Sequence, residues 1–325
     1  MVADAHAADD IADRLIAYLQ AEAGYSGSGY IVPPTTLTGG FETRLYRFQL
    51  AGAGQELSIP LVLRIFPPAQ PAQRAVWECS VQNCIAEQGY PAPRVLFTGT
   101  DPAIFGGSFL VMQYAPGDTL LVAEPDRTPE ILGAAHALLH QIDPAPLIDA
   151  LHRRGFDRKR FGFESRLAWL YGMRDRYPWL SAVLQWLMDS APPEPHRLSI
   201  CHGDFHPLNI LVQEGDISAV LDWSGFSIAD PVMDVAFTMV ILSVAASMLL
   251  PQESSEKLLS RYRAAYEQVH ALDAVNLDYY RTLRCVMALV EGAEGQEVWT
   301  RPPVLVQLTD TVSSNTGVSV HHPHL

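Results

Sequence analysis

The sequence predicts an α+β chain in two parts, strand-rich in its first third and mainly helical in the remainder. Two observations carry this. Residues 45–50 and 59–66 are short apolar runs separated by turn material at Ala51, Gly52, Ala53 and Gly54, the pattern of paired strands. Beyond residue 118 the apolar residues recur at helical spacing instead, and a 16-residue apolar run at 235–250 is too short for a bilayer span and suits a buried helix. The 325 residues, 48% hydrophobic and 18% charged, supply core for two lobes and exclude a disordered or fibrous protein.

In chain order, Ile11, Leu15, Ile16 and Leu19 mark an amphipathic helix. Gly39 and Gly40 then form a turn ahead of the first strand, where the missing Cβ would let backbone approach a phosphate; a simple turn explains two glycines equally well. Arg64 lies inside the otherwise apolar run 59–66, where an unpaired charge is costly to bury, so it requires an anion nearby or an edge position from which to reach water. Glu78, on a helix expected over 74–88, is a candidate partner. Residues 108–118 read as a buried strand entering a turn, a natural lobe boundary, giving parts 1–112, 113–117 and 118–325. Helical periodicity follows over 129–142, with Leu132, Ala135, Leu139 and Ile142 on one face.

The chemistry concentrates between His202 and Trp223. His202, Asp204 and Asn209 have the spacing H-x-D-x-x-x-x-N, in which the Asp accepts a hydroxyl proton and the Asn binds Mg²⁺. Residues 210–212 and 217–221 read as strands joined at Glu214, Gly215 and Asp216. Such a hairpin returns the chain so that Asp222 supplies a second metal ligand. One amide oxygen plus one carboxylate suits Mg²⁺, which keeps its other positions for water and phosphate. Two other readings exist: a Zn²⁺ hydrolase using His202, Asp204 and His206, or core histidines with Asp204 capping a turn. The zinc reading leaves Asn209 and Asp222 unused.

These residues resemble the aminoglycoside phosphotransferase and choline kinase-like small-molecule kinases. The carriers are the segment from Thr38 to Tyr46, Arg64 within 62–65, Glu78, the Gly-Tyr-Pro-Ala-Pro at 89–93, the Leu-Leu-His at 138–140, the block 202–209, and Asp222 with Asp230 and Asp234. The resemblance implies a bilobal protein kinase-like α+β fold, with an antiparallel sheet and a helix in the first lobe and a larger helical second lobe. It implies ATP or GTP as phosphate donor, Mg²⁺ held by Asn209 and Asp222, and Asp204 as catalytic base. Arg64 would contact phosphate and Glu78 would orient it; the hinge at 113–117 would bind adenine through backbone near Gln113 and Ala115. The acceptor is expected to be a hydroxyl of a small molecule such as an antibiotic, amino alcohol or sugar.

Two departures from that pattern stand out. The cation paired with Glu78 is generally Lys, yet the only lysines are Lys159 and Lys257; Ser224 follows Trp223 where relatives carry an acid. Arg keeps its charge and binds phosphate bidentately, so the substitution is chemically workable. It also raises a non-catalytic nucleotide-binding alternative. The net charge of −14 disfavours nucleic acid and mildly favours a cationic substrate. Glu291, Glu294 and Glu297 recur every three residues and, if helical, share a face that either receives an amine or is simply solvated. Tyr262, Tyr266, Tyr279, Tyr280 and Trp299 line a pocket or pack in the core. Cys79, Cys84, Cys201 and Cys285 form no C-x-x-C pair, and the first residues lack a basic leader, so a cytoplasmic protein with free thiols and no membrane association is expected.

Overall fold

The computed structural model describes residues 2–22, 24–27, 29–37, 43–52, 54, 57–249 and 252–323. The chain divides into two compact units, Met1–Asp118 with Leu211–Ser224, and Thr119–Ile210 with Gly225–Leu325.

The first unit is built on a five-stranded antiparallel sheet in the order Tyr30–Thr36, Arg44–Leu50, Leu61–Ile65, Phe109–Gln113, Val95–Gly99. Leu61–Ile65 is central and buried throughout, which explains its unbroken apolar reading. The two-residue side-chain period sorts its faces. Leu61, Leu63 and Ile65 join Phe48, Phe109 and Val111 in a core that also takes Ile11, Leu15 and Leu19 from the helix Val2–Glu22. Arg64, in register with Leu110, turns to the opposite face, where Leu110, Phe66 and Val95 meet Ala75 of the helix Arg74–Glu87. On that helix Glu78, Val81 and Ile85 fall at the spacing of one face and are buried. The hairpin of Ile210–Gln213 and Asp216–Val220 turns at Glu214 and Gly215, with φ of 54° and 90°. Two successive positive φ values match the right-handed twist of the flanking strands, so a two-residue connection suffices.

The second unit is mainly helical. Its helix Thr128–Leu139 lies against Gln252–Val269, and Gly133 allows the approach: a Cβ there would stand 2.3 Å from the Tyr262 carbonyl oxygen. Ser199–Cys201 pairs antiparallel with Ser227–Ala229, anchoring the start of the segment that bears His202 and Asp204. The helix Pro231–Leu249 packs against Leu277–Ala293. By length and composition it is apolar enough to cross a membrane, with mean hydropathy 1.8 over Pro231–Met248, but 61% of that window is buried inside the protein. The buried helix expected from the sequence is what forms. All four cysteines are free.

Candidate active site

Within the first unit, sheet and helix deliver Arg64 and Glu78 to one point. Arg64 Nη1 donates to Glu78 Oε2 at 3.2 Å, and its Nη2 donates to Asp222 Oδ1 at 3.1 Å. The planar fork thus holds two carboxylates at once, which a point-like ammonium does less well. Glu78 has a second cation: Arg74 Nε donates to its Oε1 at 2.8 Å, one turn earlier on the same helix. Both guanidiniums lie over the Phe66 ring, at 5.1 and 5.2 Å. Glu78 is fully buried. Burial pushes its carboxyl above the ordinary range, against the opposing pull of Arg64 and Arg74. Asp222 differs, with a side chain 41% exposed and a backbone φ of 61°, a left-handed conformation that Asp tolerates better than most residues. That conformation aims one oxygen at Arg64 while leaving the carboxylate open to solvent.

Within the second unit, Asp204 and Asn209 come together. The Asn209 amide donates to the Asp204 carbonyl at 3.0 Å and its nitrogen lies 3.4 Å from Asp204 Oδ2. Spending its N–H groups on the loop leaves Oδ1 as the atom available to a cation. His206 Nδ1 accepts from the Leu208 N–H at 3.3 Å, and its Nε2 lies 3.2 Å from the Asn209 amide nitrogen and 3.4 Å from Asp204 Oδ2. Burial opposes ionisation of Asp204, but the His206 hydrogen bond and the attraction of His206, His202 and Arg284 outweigh it. The carboxyl titrates below its ordinary value. It is therefore an anion at neutral pH, as a proton acceptor must be.

The turn before Asp204 is fixed from behind by Asp234. Its Oδ2 accepts the His202 N–H at 2.5 Å and its Oδ1 accepts the Gly203 N–H at 2.7 Å. The same Oδ2 faces His136 Nε2 at 2.9 Å and His140 Nε2 at 3.2 Å, while the Nδ1 atoms of the two rings meet the hydroxyls of Tyr262 and Tyr266, each at 2.7 Å. Gly203, with φ of 82°, admits no side chain: a Cβ would lie 2.1 Å from the Gly225 carbonyl oxygen. Arg166 donates to that same carbonyl. Thr238 donates to the Phe205 carbonyl at 3.0 Å, and His136 stacks on the Phe205 ring at 4.1 Å.

His136, His140 and Asp234 form the one group of three potential metal ligands, among the described residues, whose ligand atoms lie within 4.8 Å of one another. Every one of those atoms is already hydrogen-bonded, with four donors on the two Asp234 oxygens, so the group reads as a structural lock and not a cation cage. The zinc set of His202, Asp204 and His206 does not assemble: His202 Nδ1 faces the Asp204 N–H at 3.3 Å, within a fully buried ring.

The remaining expected site residues fall as follows. The Gln113 N–H donates to the Arg94 carbonyl at 2.9 Å and that of Tyr114 to Pro60 at 3.0 Å. The N–H of Ala115 has no backbone partner among the described residues. Gly39 and Gly40 lie outside the described residues. Tyr262, Tyr266, Tyr279, Tyr280 and Trp299 are all buried.

The model of the phosphotransferase enzyme family matches residues 34–284. The chain belongs to that family. An aminoglycoside 3'-phosphotransferase of Streptomyces fradiae is 27% identical over 250 residues, which span 73% of this chain and 88% of that protein. Acyl-CoA dehydrogenase family member 10 of Mus musculus is 27% identical over 194 residues, 56% of this chain but only 18% of that much longer protein. Among solved structures, an amicoumacin kinase in complex with AMP-PNP, Ca²⁺ and its ligand superposes with a TM-score of 0.62 at 15% identity, over 88% of this chain and 89% of that one. An aminoglycoside phosphotransferase in complex with AMP-PNP and hygromycin B gives 0.57 at 19%, over 94% and 99%. The protein kinase-like α+β fold expected of this phosphotransferase from its motifs is the fold it has.

Sequence reasoning missed Arg74, His136, Arg166 and Arg284, and gave Asp234 no role. A signal existed for Arg74, which sits four residues before Glu78. His136 and His140 likewise repeat at i,i+4, but their tyrosine partners lie 126 residues away in sequence.

Proposed function

We propose that this phosphotransferase moves the γ-phosphate of ATP or GTP to a hydroxyl of a small molecule, with Asp204 as the base. The observation that carries the reading is the Asp204 carboxylate: held as an anion, 44% exposed, and fixed in a loop whose backbone is tied to Asp234. Such a group orients an acceptor hydroxyl and takes its proton as the O–P bond forms. Solved relatives crystallised with AMP-PNP and with hygromycin B or amicoumacin support the nucleotide and the small-molecule acceptor.

The donor set fits a hard cation, since the Asn209 amide oxygen and the Asp222 carboxylate are oxygen ligands of the kind Mg²⁺ prefers. Bound there, Mg²⁺ would offset phosphate charge. Arg64 contacts phosphate, and Glu78 with Arg74 sets its orientation. The segment 113–117, between residues 1–112 and 118–325, receives adenine; with the Gln113 N–H already spent on Arg94, the Ala115 N–H is the donor. Gly39 and Gly40 approach the phosphates through backbone. The four free thiols suit a reducing cytoplasm.

A non-catalytic nucleotide-binding reading draws on the Arg64 to Asp222 ion pair, which occupies a metal-ligand carboxylate. The two readings separate on one variant. Asp204→Ala should leave Mg²⁺-dependent ATP affinity within about threefold by calorimetry and lower acceptor-stimulated ADP release by at least ~10³-fold, the scale of a lost general base with its positioning. Wild-type turnover in that variant removes Asp204 from the chemistry.

A further inference from the structure

Pro207 restricts the residue before it, and His206 accordingly takes an extended backbone, with φ of −145° and ψ of 163°. From there its side chain caps the short turn Pro207–Asn209, with Nδ1 accepting the Leu208 N–H at 3.3 Å. With one ring nitrogen taken up by the cap, only Nε2 is left to face the site. It stands 3.2 Å from the Asn209 amide nitrogen and 3.4 Å from Asp204 Oδ2. The side chain is only 19% exposed, so water competes weakly for that nitrogen.

The consequence falls on Asp204. Its N–H faces His202 Nδ1 at 3.3 Å, its carbonyl accepts from Asn209 at 3.0 Å, and its Oδ2 meets the Asn209 amide and His206 Nε2, each at 3.4 Å. Oδ1 has no hydrogen-bond partner among the described residues, and the side chain is 44% exposed. One carboxylate oxygen is therefore held by the loop and the other is open. A turn cap needs Nδ1 alone; it does not require the far nitrogen to stand against the base.

We propose that His206 is a positioning residue for phosphotransfer, its Nε2 bracing Asp204 Oδ2 so that Oδ1 is the oxygen presented to the acceptor hydroxyl. The inference rests on Asp204 being the base, as proposed above. The acceptor oxygen attacks the γ-phosphorus, the new O–P bond forms as the bridging bond to the β-phosphate breaks, ADP departs with that electron pair, and the hydroxyl proton passes to Oδ1. In this role His206 touches neither nucleotide nor acceptor. Its loss lets the carboxylate turn away from the attack geometry, which lowers kcat and leaves both KM values alone.

Two amide variants separate the brace from the cap, because each side chain reproduces one ring nitrogen. His206→Asn reaches only as far as Nδ1 and, as a residue favoured at turn and helix starts, keeps the bond to Leu208. His206→Gln reaches the position of Nε2 and gives up the cap. ADP release is measured with Mg²⁺ and ATP, first with water as the acceptor and then with hygromycin B, amino alcohols and sugars, alongside calorimetric ATP affinity and a thermal melt. In His206→Asn kcat should fall roughly 10- to 100-fold, the scale of a misplaced catalytic group, with KM values and melt near wild type; His206→Gln should recover to within about tenfold of wild type. In an Asp204→Ala background His206→Asn should change ADP release no further, since the brace then has nothing to hold. A wild-type kcat in His206→Asn, a Gln variant slower than the Asn variant, or losses that add in the double variant would each overturn the assignment and leave His206 a turn cap. Wild-type turnover in Asp204→Ala alone, or ATP bound without any ADP release, would instead overturn the phosphotransfer reading and the brace with it.

Discussion

Two fully buried carboxylates, one in each unit, are neutralised in opposite ways. Glu78 faces two guanidiniums, at 2.8 and 3.2 Å, and still titrates above the ordinary carboxylate range because burial outweighs them. Asp234 faces no guanidinium at hydrogen-bonding distance, yet its carboxyl is held well below that range: burial is overcome by the imidazoles of His136 and His140, joined by two backbone N–H donors. At Asp234 the attraction of His136 and the hydrogen bonds of both imidazoles overcome burial, whereas at Glu78 burial prevails over both arginines. The difference matters for function. Asp234 is fully buried and accepts from the His202 and Gly203 N–H groups, which suits it to fixing the loop that carries Asp204. The Glu78 cluster includes the half-exposed Asp222, whose ion pair with Arg64 is open to solvent on one side.

The largest break in this comparison is Asp234→Asn. The amide keeps the shape but presents one NH₂ to donors, leaving backbone and imidazole N–H groups buried without acceptors. A loss of at least ~3 kcal/mol is expected by urea unfolding, from the cost of stranding a buried polar network. A near-neutral result would show the lock to be dispensable.

Acid probes the same lock. His140 is pushed down to about 4 by burial and by His136, against the attraction of Asp234. The folded state therefore binds that proton less tightly than the unfolded chain, whose histidines titrate near 6.5. The stability His140 contributes is fully present above about pH 6.5 and drains as pH falls toward 4, to a limit of roughly 3 kcal/mol. Asp234, depressed instead, holds its own contribution until the pH is below the ordinary aspartate range. Urea midpoints at pH 7.5, 6 and 5 should fall in step, and His140→Asn should flatten the slope.

Much of the first unit was legible because its signals are local. A period of two places Arg64 on the helix-facing side of a buried strand, and a charge there demands a partner, which Glu78 supplies. The H-x-D-x-x-x-x-N spacing brought Asp204 and Asn209 to one loop for the same reason, since five residues cannot separate far. The lock was not legible. His136 and His140 pass as ordinary members of an apolar helix face, and only the approach permitted at Gly133 sets Tyr262 and Tyr266 opposite them. The acidic spacing was uninformative for a related reason: Glu291, Glu294 and Glu297 recur every three residues, but the cations paired with two of them come from seven residues earlier and from a distant turn.

The mildest test returns to the Glu78 cluster and asks whether two cations there are redundant. Arg74→Ala removes the 2.8 Å bond but leaves Arg64 on Glu78, so the carboxylate stays paired and the expected loss is about 1–2 kcal/mol, the worth of one charged hydrogen bond. Arg64→Lys keeps the charge and gives up the fork. A single ammonium cannot reproduce two parallel N–H donors to Glu78 and Asp222, so stability should change by less than ~1 kcal/mol while nucleotide affinity weakens several-fold. If Arg64→Lys tightens nucleotide binding instead, the arginine is a brake on Asp222 and not the phosphate contact. A double variant measured in the same buffer separates these outcomes: losses that add mean the two arginines act independently on Glu78, while a combined loss exceeding the sum means each covers for the other.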